Sequence, residues 1–80
     1  MKELKTYTTD AKFGDVGNTT TNQWLVNGYC HRTWGPAVTD SRGLREWYKH
    51  GTLHRRFGPA VIHPDGLREW WRNGVFIKER

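Results

Sequence analysis

Two short stretches of the chain, residues 44–49 and 67–72, alternate between two sets of side chains with a period of two. In the first stretch the alternating sets are Leu44, Glu46 and Tyr48 against Arg45, Trp47 and Lys49. Successive side chains of a β-strand point to opposite faces, and each stretch has the usual length of a strand. No window of the chain has helical periodicity of any length. The pattern therefore predicts strands in which neither face is purely apolar.

Pairs of turn-forming residues separate the predicted strands. One set lies at positions 27–28, 50–51 and 73–74, and a second set lies at 42–43 and 65–66. Asn-Gly and Asp-Gly pairs favour tight hairpin turns, because both central residues must take a positive φ. Pro36 and Pro59 open the partner strands and cannot donate to a ladder. The expected fold is all-β: an antiparallel meander of stacked β-hairpins in a single twisted sheet.

The alternating pattern belongs to a repeat of 23 residues. Residues 24–46 and 47–69 agree at 12 of their 23 positions, and a third copy opens at Trp70 and keeps Gly74. Self-similarity at a fixed period of about 20 to 50 residues is the mark of a repeat architecture. We therefore divide a single domain into an N-terminal cap (1–23), two full repeats (24–46 and 47–69) and a partial third repeat (70–80).

The N-terminal cap does not match the repeat unit. Two threonine-rich stretches in this region flank a run of turn formers between Gly14 and Asn18. This pattern predicts one or two degenerate strands that close the end of the array, because terminal repeats usually differ where they meet water.

The residues that recur in both units are interpreted as the structural framework. Three evenly spaced tryptophans are expected to form the spine of the core, since the chain has few aliphatic residues and indoles bury a large area. A stacking platform for single-stranded nucleic acid is the alternative use of these rings. The repeated arginines are expected to reach the repeated glutamates across a hairpin or between units. The framework residues are Trp24, Trp47, Trp70, Gly35, Pro36, Gly58, Pro59, Arg32, Arg55, Glu46 and Glu69.

The positive charge of the chain lies in the repeats. Residues 1–22 carry three lysines and three acids, so residues 23–80 hold the whole net charge of +5. A basic surface of this kind attracts nucleic acid or an anionic membrane. Binding of either polyanion is the alternative to binding a protein partner.

The candidate catalytic and metal-binding groups do not converge. His31 and His54 recur at the repeat period, but equivalent residues two strands apart are separated by roughly 9 to 10 Å, whereas zinc holds its ligands at about 2 Å. Cys30 precedes His31 directly, and neighbours along a strand point to opposite faces. We therefore predict no catalytic residue, no metal site and no cofactor, and hence no enzymatic activity.

A single cysteine and the absence of a long apolar run bear on location. One cysteine cannot form an internal disulfide, which fits a reducing compartment, and no apolar run approaches the roughly 20 residues needed to cross a bilayer. The prediction is a cytoplasmic protein.

The motif Pro-Asp-Gly at 64–66, followed by a tryptophan-containing strand and Asn-Gly at 73–74, resembles the MORN repeat, whose unit has the same 23-residue length. The segments His-Arg-x-x-Gly-Pro-Ala at 31–37 and 54–60 resemble a divergent variant of that repeat found in bacteriophage and giant-virus proteins. This resemblance covers residues 24–80 and implies a curved ribbon of hairpins that serves as a scaffold or an interaction surface. It also implies a virus-encoded factor that modulates or inhibits a host protein, such as a defence component, in the cytoplasm of the host cell.

Recognition is predicted at positions that differ between the units. Aromatic residues and arginine dominate interface hot spots, so the predicted partner-binding residues are Tyr29, Trp34, Arg42, Tyr48, Arg56 and Trp71. A protein, most naturally a host protein, is the expected partner. Self-association through open sheet edges is a further alternative, because an incomplete third unit leaves an edge that another copy can pair with.

Overall fold

The computed structural model describes residues 2–9 and 19–80, and within these ranges the chain forms ten strands and no helix. None of the described residues therefore belongs to a helix that could span a membrane. The run of turn formers between Gly14 and Asn18, including the predicted turn of the cap, lies outside the described residues. The strands are β1 (Lys2–Thr9), β2 (Thr19–Val26), β3 (Tyr29–Cys30), β4 (Val38–Asp40), β5 (Arg45–Glu46), β6 (Tyr48–Lys49), β7 (Thr52–Leu53), β8 (Val61–Ile62), β9 (Arg68–Arg72) and β10 (Val75–Glu79).

Eight of these strands form one antiparallel sheet. Its main path runs β1-β2-β4-β5-β8-β9-β10, and β3 pairs with β2 beside this path. Strands β6 and β7 pair only with each other in a short separate ladder. The predicted all-β fold of antiparallel hairpins is confirmed, and within the described part of the chain the β6–β7 ladder is the departure from a single sheet.

Each repeat contains one hairpin, here called a hairpin arm, that ends in a tight turn. The arms are β2–β3, β6–β7 and β9–β10, and their turns lie at 27–28, 50–51 and 73–74. Both central residues of all three turns have positive φ, which is 50° at His50 and 84° at Gly51. Glycine adopts this conformation freely and Asn and His tolerate it better than most residues, so local sequence alone sets these three turns.

A row of alternating large and small residues crosses one face of the sheet. One residue beyond the paired positions, Trp24 lies opposite Ala37 and Trp47 lies opposite Ala60, and alternation along the strands puts Trp70 on the same face. Backbone hydrogen bonds from the Trp24 and Trp47 amides to the Ala37 and Ala60 carbonyls, each 2.7 Å long, hold the row together. Neighbouring strands are only about 4.8 Å apart, so a methyl group is the largest side chain that fits between two indoles. Both alanines are completely buried.

The core is made of buried residues on both faces of the sheet. Ala37 and Ala60 lie on the face of the tryptophans, which cover them, whereas Leu25, Val38 and Val61 lie on the opposite face. The tryptophans Trp24, Trp47 and Trp70, predicted as the spine of the core, thus border the buried alanines and are only half-buried themselves. The indoles form one wall of the core, because a single sheet has no second layer to enclose them.

Two tryptophan-to-alanine variants test this assignment. Trp47→Ala should lower the free energy of unfolding by about 3 kcal/mol, because it uncovers Ala37 and Ala60 and removes a large packed ring. Trp34→Ala is the matched control, since the Trp34 side chain is exposed, and exposed substitutions usually change stability by less than about 0.5 kcal/mol. Urea denaturation followed by circular dichroism measures both values. Equal losses in the two variants would contradict the covering role of Trp47.

Candidate interaction surface

Each of the three repeated tryptophans, Trp24, Trp47 and Trp70, carries a cation from the residue eight positions later in the chain. The Arg32 guanidinium lies 4.7 Å from the ring centre of Trp24, and the Arg55 guanidinium lies 3.9 Å from that of Trp47. In the third unit the Lys78 ammonium occupies the same place, 4.8 Å from Trp70. The contact is therefore repeated three times, with a lysine replacing arginine in the last copy. Contacts of this kind contribute about 0.5 to 1 kcal/mol at exposed sites and more when shielded from water.

The two stacked arginines are held from a second direction by the loop that follows them. Arg32 donates a hydrogen bond from Nη1 to the Pro36 carbonyl at 3.3 Å, and Arg55 donates the equivalent bond to Pro59 at 3.1 Å. A Cβ atom added to Gly58 would lie 3.0 Å from the Arg55 guanidinium carbon, and the φ of Gly58 is +123°. Glycine is required there because the guanidinium passes directly over its α-carbon.

The predicted arginine–glutamate pairs do not form. Within the described ranges the ion pair that the structure contains joins His63 Nε2 to Glu69 Oε2 at 2.6 Å. Strand alternation explains this result, because Arg32 and Arg55 lie on the face of the tryptophans whereas Glu46 and Glu69 point to the opposite face.

The repeated glutamates instead bind aromatic side chains on their own face. Trp71 donates from Nε1 to Glu69 at 2.8 Å, and the Tyr48 hydroxyl lies 3.4 Å from the equivalent oxygen of Glu46. Hydrogen bonds from His63 and Trp71 lower the pKa of Glu69, whereas burial raises the pKa of Glu46. Burial and the Glu46 carboxylate together raise the pKa of Tyr48 to about 12.

Histidines join successive hairpin arms. The backbone amide of His50 donates to His31 Nδ1 at 3.0 Å, and the amide of Asn73 donates to His54 Nδ1 at 2.9 Å. In both pairs a turn of one unit is fastened to the histidine of the preceding unit. The His31 and His50 rings also stack, with their centres 4.4 Å apart. Because Nδ1 must be an acceptor, these junctions require histidines that are not protonated at Nδ1.

Charge is segregated between the two faces of the sheet. Every acidic residue of the described strands alternates onto the face opposite the tryptophans, and these residues are Glu3, Asp40, Glu46, Glu69 and Glu79. The tryptophan face, here called the basic face, carries Lys2, Arg45, Lys49, Arg68, Arg72 and Lys78, together with the stacked Arg32 and Arg55. The positive charge of the repeats is thus concentrated on one side.

Two grooves lie next to each other at the ends of the hairpin arms, and they share His31, Arg32 and Thr33. The first groove, of about 280 Å³, is completed by Lys2 and by the apolar residues Trp24, Leu25, Val26 and Trp34. The second groove, of about 270 Å³, is lined by the four cations Arg32, Lys49, Arg55 and Arg56 and by His31 and His54. Thr33, Trp47 and Tyr48 complete its lining, so no carboxylate lines it.

The predicted partner-binding residues fall into two groups. Tyr29, Trp34, Arg42 and Arg56 are exposed, whereas Tyr48 and Trp71 are half-buried and engaged with the glutamates. Trp71 also packs edge-on against Phe76, with the ring centres 5.3 Å apart. Trp34 and Arg56 lie near one another because they line the two adjoining grooves, whereas Arg42 lies in a turn at the other end of the strands.

Phe57 is an exposed aromatic residue that the sequence reasoning missed. It is the counterpart of Trp34 in the next unit, since both occupy the second position before the proline of the loop. The two side chains are 79% and 85% exposed, respectively. The retained aromatic character at this position was the available signal.

The described residues contain no group of three or more potential metal ligands. Burial raises the pKa of the Cys30 thiol, and the nearby Glu46 carboxylate adds to the rise. A thiol of raised pKa stays protonated near neutral pH and is a weak nucleophile.

Comparison of the chain with protein-family models, with curated proteins and with solved structures finds no match. The contacts, exposure and charge of the chain's own residues therefore carry its functional assignment.

The hydrogen bonds that His31 and His54 accept from the next turn, here called the histidine junctions, predict a loss of stability in mild acid. Burial, followed by nearby positive charges, lowers the pKa of both His31 and His54. A histidine whose pKa is lower in the folded state stabilises the fold fully above its unfolded pKa of about 6.5, and this contribution is lost as the pH falls through the folded pKa. The Tm should therefore drop between about pH 6.5 and pH 5.

The double variant His31→Asn/His54→Asn serves as the control, because asparagine retains an acceptor oxygen that does not titrate in this range. Its Tm should lie within a few degrees of the wild-type value at pH 7.5 and fall less on acidification. Differential scanning calorimetry at several pH values gives both curves. Since Glu46 and Glu69 titrate in both proteins, parallel curves would show that the histidine junctions are not the acid-sensitive element.

Proposed function

We propose that this chain is a small, non-catalytic interaction module that binds another protein through the tips of its two Gly-Pro loops. The observation that carries the proposal is the pair Trp34 and Phe57, two large aromatic side chains at equivalent positions that both face water. We call these two residues and the adjoining Arg56 the loop-tip surface. Arg56 belongs to it because its guanidinium lies 5.1 Å from the ring centre of Phe57.

The loop-tip aromatics stand apart from the other large aromatic residues of the repeats. Trp24, Trp47 and Trp70 cover the core, whereas Trp34 and Phe57 are the most exposed large hydrophobic residues of the described chain. A chain with so few core residues gains stability by burying its aromatics, so two that remain in water at the same place in successive units indicate a use outside the fold. Tryptophan and arginine are the residues most enriched in binding hot spots.

The first groove supports the same interpretation. Trp34 lines it with three further apolar residues and with Lys2 and Arg32 at its edge. An apolar side chain of a partner protein would be enclosed there by the indoles of Trp24 and Trp34. A small apolar pocket with a charged rim is the usual anatomy of an interface centre.

The class of partner follows from the resemblance to phage and giant-virus repeat proteins. That resemblance supports a virus-encoded factor that acts in the host cytoplasm and modulates or inhibits a host protein, with a defence protein as the natural candidate. Tyr29 and Arg42 are also exposed and differ between the units, but Arg42 lies at the other end of the strands and is outside the loop-tip surface.

The double variant Trp34→Ala/Phe57→Ala tests the proposal. Affinity purification from a lysate of the natural host, followed by mass spectrometry, identifies the proteins that the wild type retains, and each is then titrated by calorimetry. We expect the double variant to lose at least about 2 kcal/mol of binding free energy, which is the hot-spot threshold, while its Tm stays within a few degrees of the wild-type value.

The matched control is Val75→Ala/Ile77→Ala, which removes two exposed apolar side chains from β10 instead. This control should bind the retained protein with wild-type affinity. If the control weakens binding as much as the loop-tip variant does, the interface lies elsewhere and the proposal fails. It also fails if no purified candidate binds the wild type in titration.

A further inference from the structure

We infer that the basic face and the second groove bind the phosphate backbone of single-stranded nucleic acid. Binding of nucleic acid at this surface is a second activity, beyond the binding of a protein partner proposed above. Three features of the described residues carry the inference: the lining of the groove, the absence of neutralising acids on that face, and the aromatic residues beside the cations.

The second groove is preorganised for binding a phosphate. The Arg55 guanidinium is already fixed by the Trp47 ring on one side and the Pro59 carbonyl on the other. A guanidinium carries five N–H donors, so most of them remain available. Because the side chain is already ordered, little of its rotamer entropy is lost when an anion binds. Lys49 and Arg56 complete a ring of positive charge that contains no carboxylate.

The extent of the positive charge points to a polyanion rather than to a single anion. Arg45 and Arg68 lie in one row across the sheet with Ile62 between them, which corresponds to roughly 9 to 10 Å for two strand spacings. A lone phosphate in the groove would leave these cations without a counter-charge. Every acid of the described strands lies on the opposite face, so no internal carboxylate neutralises them. A polymer with a phosphate at each nucleotide matches such a surface.

The aromatic residues favour a single strand over a duplex. Unpaired bases stack on aromatic rings and on the planes of arginine guanidinium groups. Here Arg32, which lines both grooves, stacks on Trp24, and the exposed Trp34 ring lines the adjoining first groove. The bases of a duplex are already stacked on each other and cannot use these groups, so a single strand should bind more tightly.

Fluorescence anisotropy with a labelled oligothymidylate of about 20 nucleotides tests the inference. Binding should be readily measured at about 50 mM salt and should weaken log-linearly up to about 200 mM, with a slope of about −0.7 for each phosphate contacted. A duplex of the same length should bind at least about threefold more weakly, because it offers no bases for stacking.

Two double variants with the same net charge locate the site. Arg45→Ala/Lys49→Ala removes two cations from the basic face, whereas Lys5→Ala/Arg42→Ala removes one from the opposite face and one from an exposed turn. The first should weaken oligonucleotide binding at least about tenfold and reduce the salt slope by about 1.4, the contribution of two phosphate contacts. The second should stay within about twofold of the wild type. Should the alanine variant of the basic face fail to fold, Arg45→Gln/Lys49→Gln takes its place.

Several results would overturn the inference. These are no binding at low salt, equal losses in the two double variants, and tighter binding of the duplex than of the single strand. Vesicles that contain phosphatidylserine provide a further test. If the vesicles bind with the same dependence on Arg45 and Lys49 while the oligonucleotide does not bind, the surface recognises lipid headgroups instead. Loss of oligonucleotide binding has no bearing on the loop-tip surface, because none of the four substituted residues belongs to it.

Discussion

The contact between a tryptophan and a cation eight residues later is the interaction on which the rest of the fold depends. The tryptophan backbone lies where each chain segment leaves the main sheet for its hairpin arm: the Trp47 amide pairs with Ala60 in the sheet, and its carbonyl accepts from His54 in the arm. The indole covers the buried alanines, and the arginine closes over the indole. The loop must then turn back tightly enough for Pro59 to reach that arginine, which requires Gly58. One contact thus connects the sheet, the arm and the loop of each unit.

The same contact determines which residues remain for binding. The arginines stack on indoles on one face of the sheet, and strand alternation places the glutamates on the other face, where they bind Tyr48 and Trp71. The cations of the basic face consequently have no acidic neighbours on the strands. Such a concentration of one sign of charge destabilises a fold through repulsion and attracts ligands of the opposite sign. Proteins tolerate local costs of this kind where function benefits, and the basic face and the loop-tip surface are the two places where this chain departs from what its fold requires.

Two kinds of hydrogen bond join the hairpin arms of successive units. Successive arms are held by a backbone hydrogen bond, such as Gly51 to Cys30 at 2.8 Å, and by the histidine that accepts from the next turn. In a repeat protein the stability of the whole is close to the sum of its units and their interfaces. Because the same histidine contact recurs at both junctions, a change in histidine protonation would act on both together.

The sequence by itself determined the 23-residue period, the all-β class and the hairpin turns, because these depend on local properties: alternation along a strand and positive φ at Asn-Gly or His-Gly. It also indicated a framework of repeated tryptophans, glycines and prolines. Only the tertiary structure decided that Arg32 and Arg55 lie against indoles rather than glutamates, that Ala37 and Ala60 form the core, and that Trp34 and Phe57 remain in water. These outcomes depend on strand register across distant segments, because register determines which side chains of separate strands share a face.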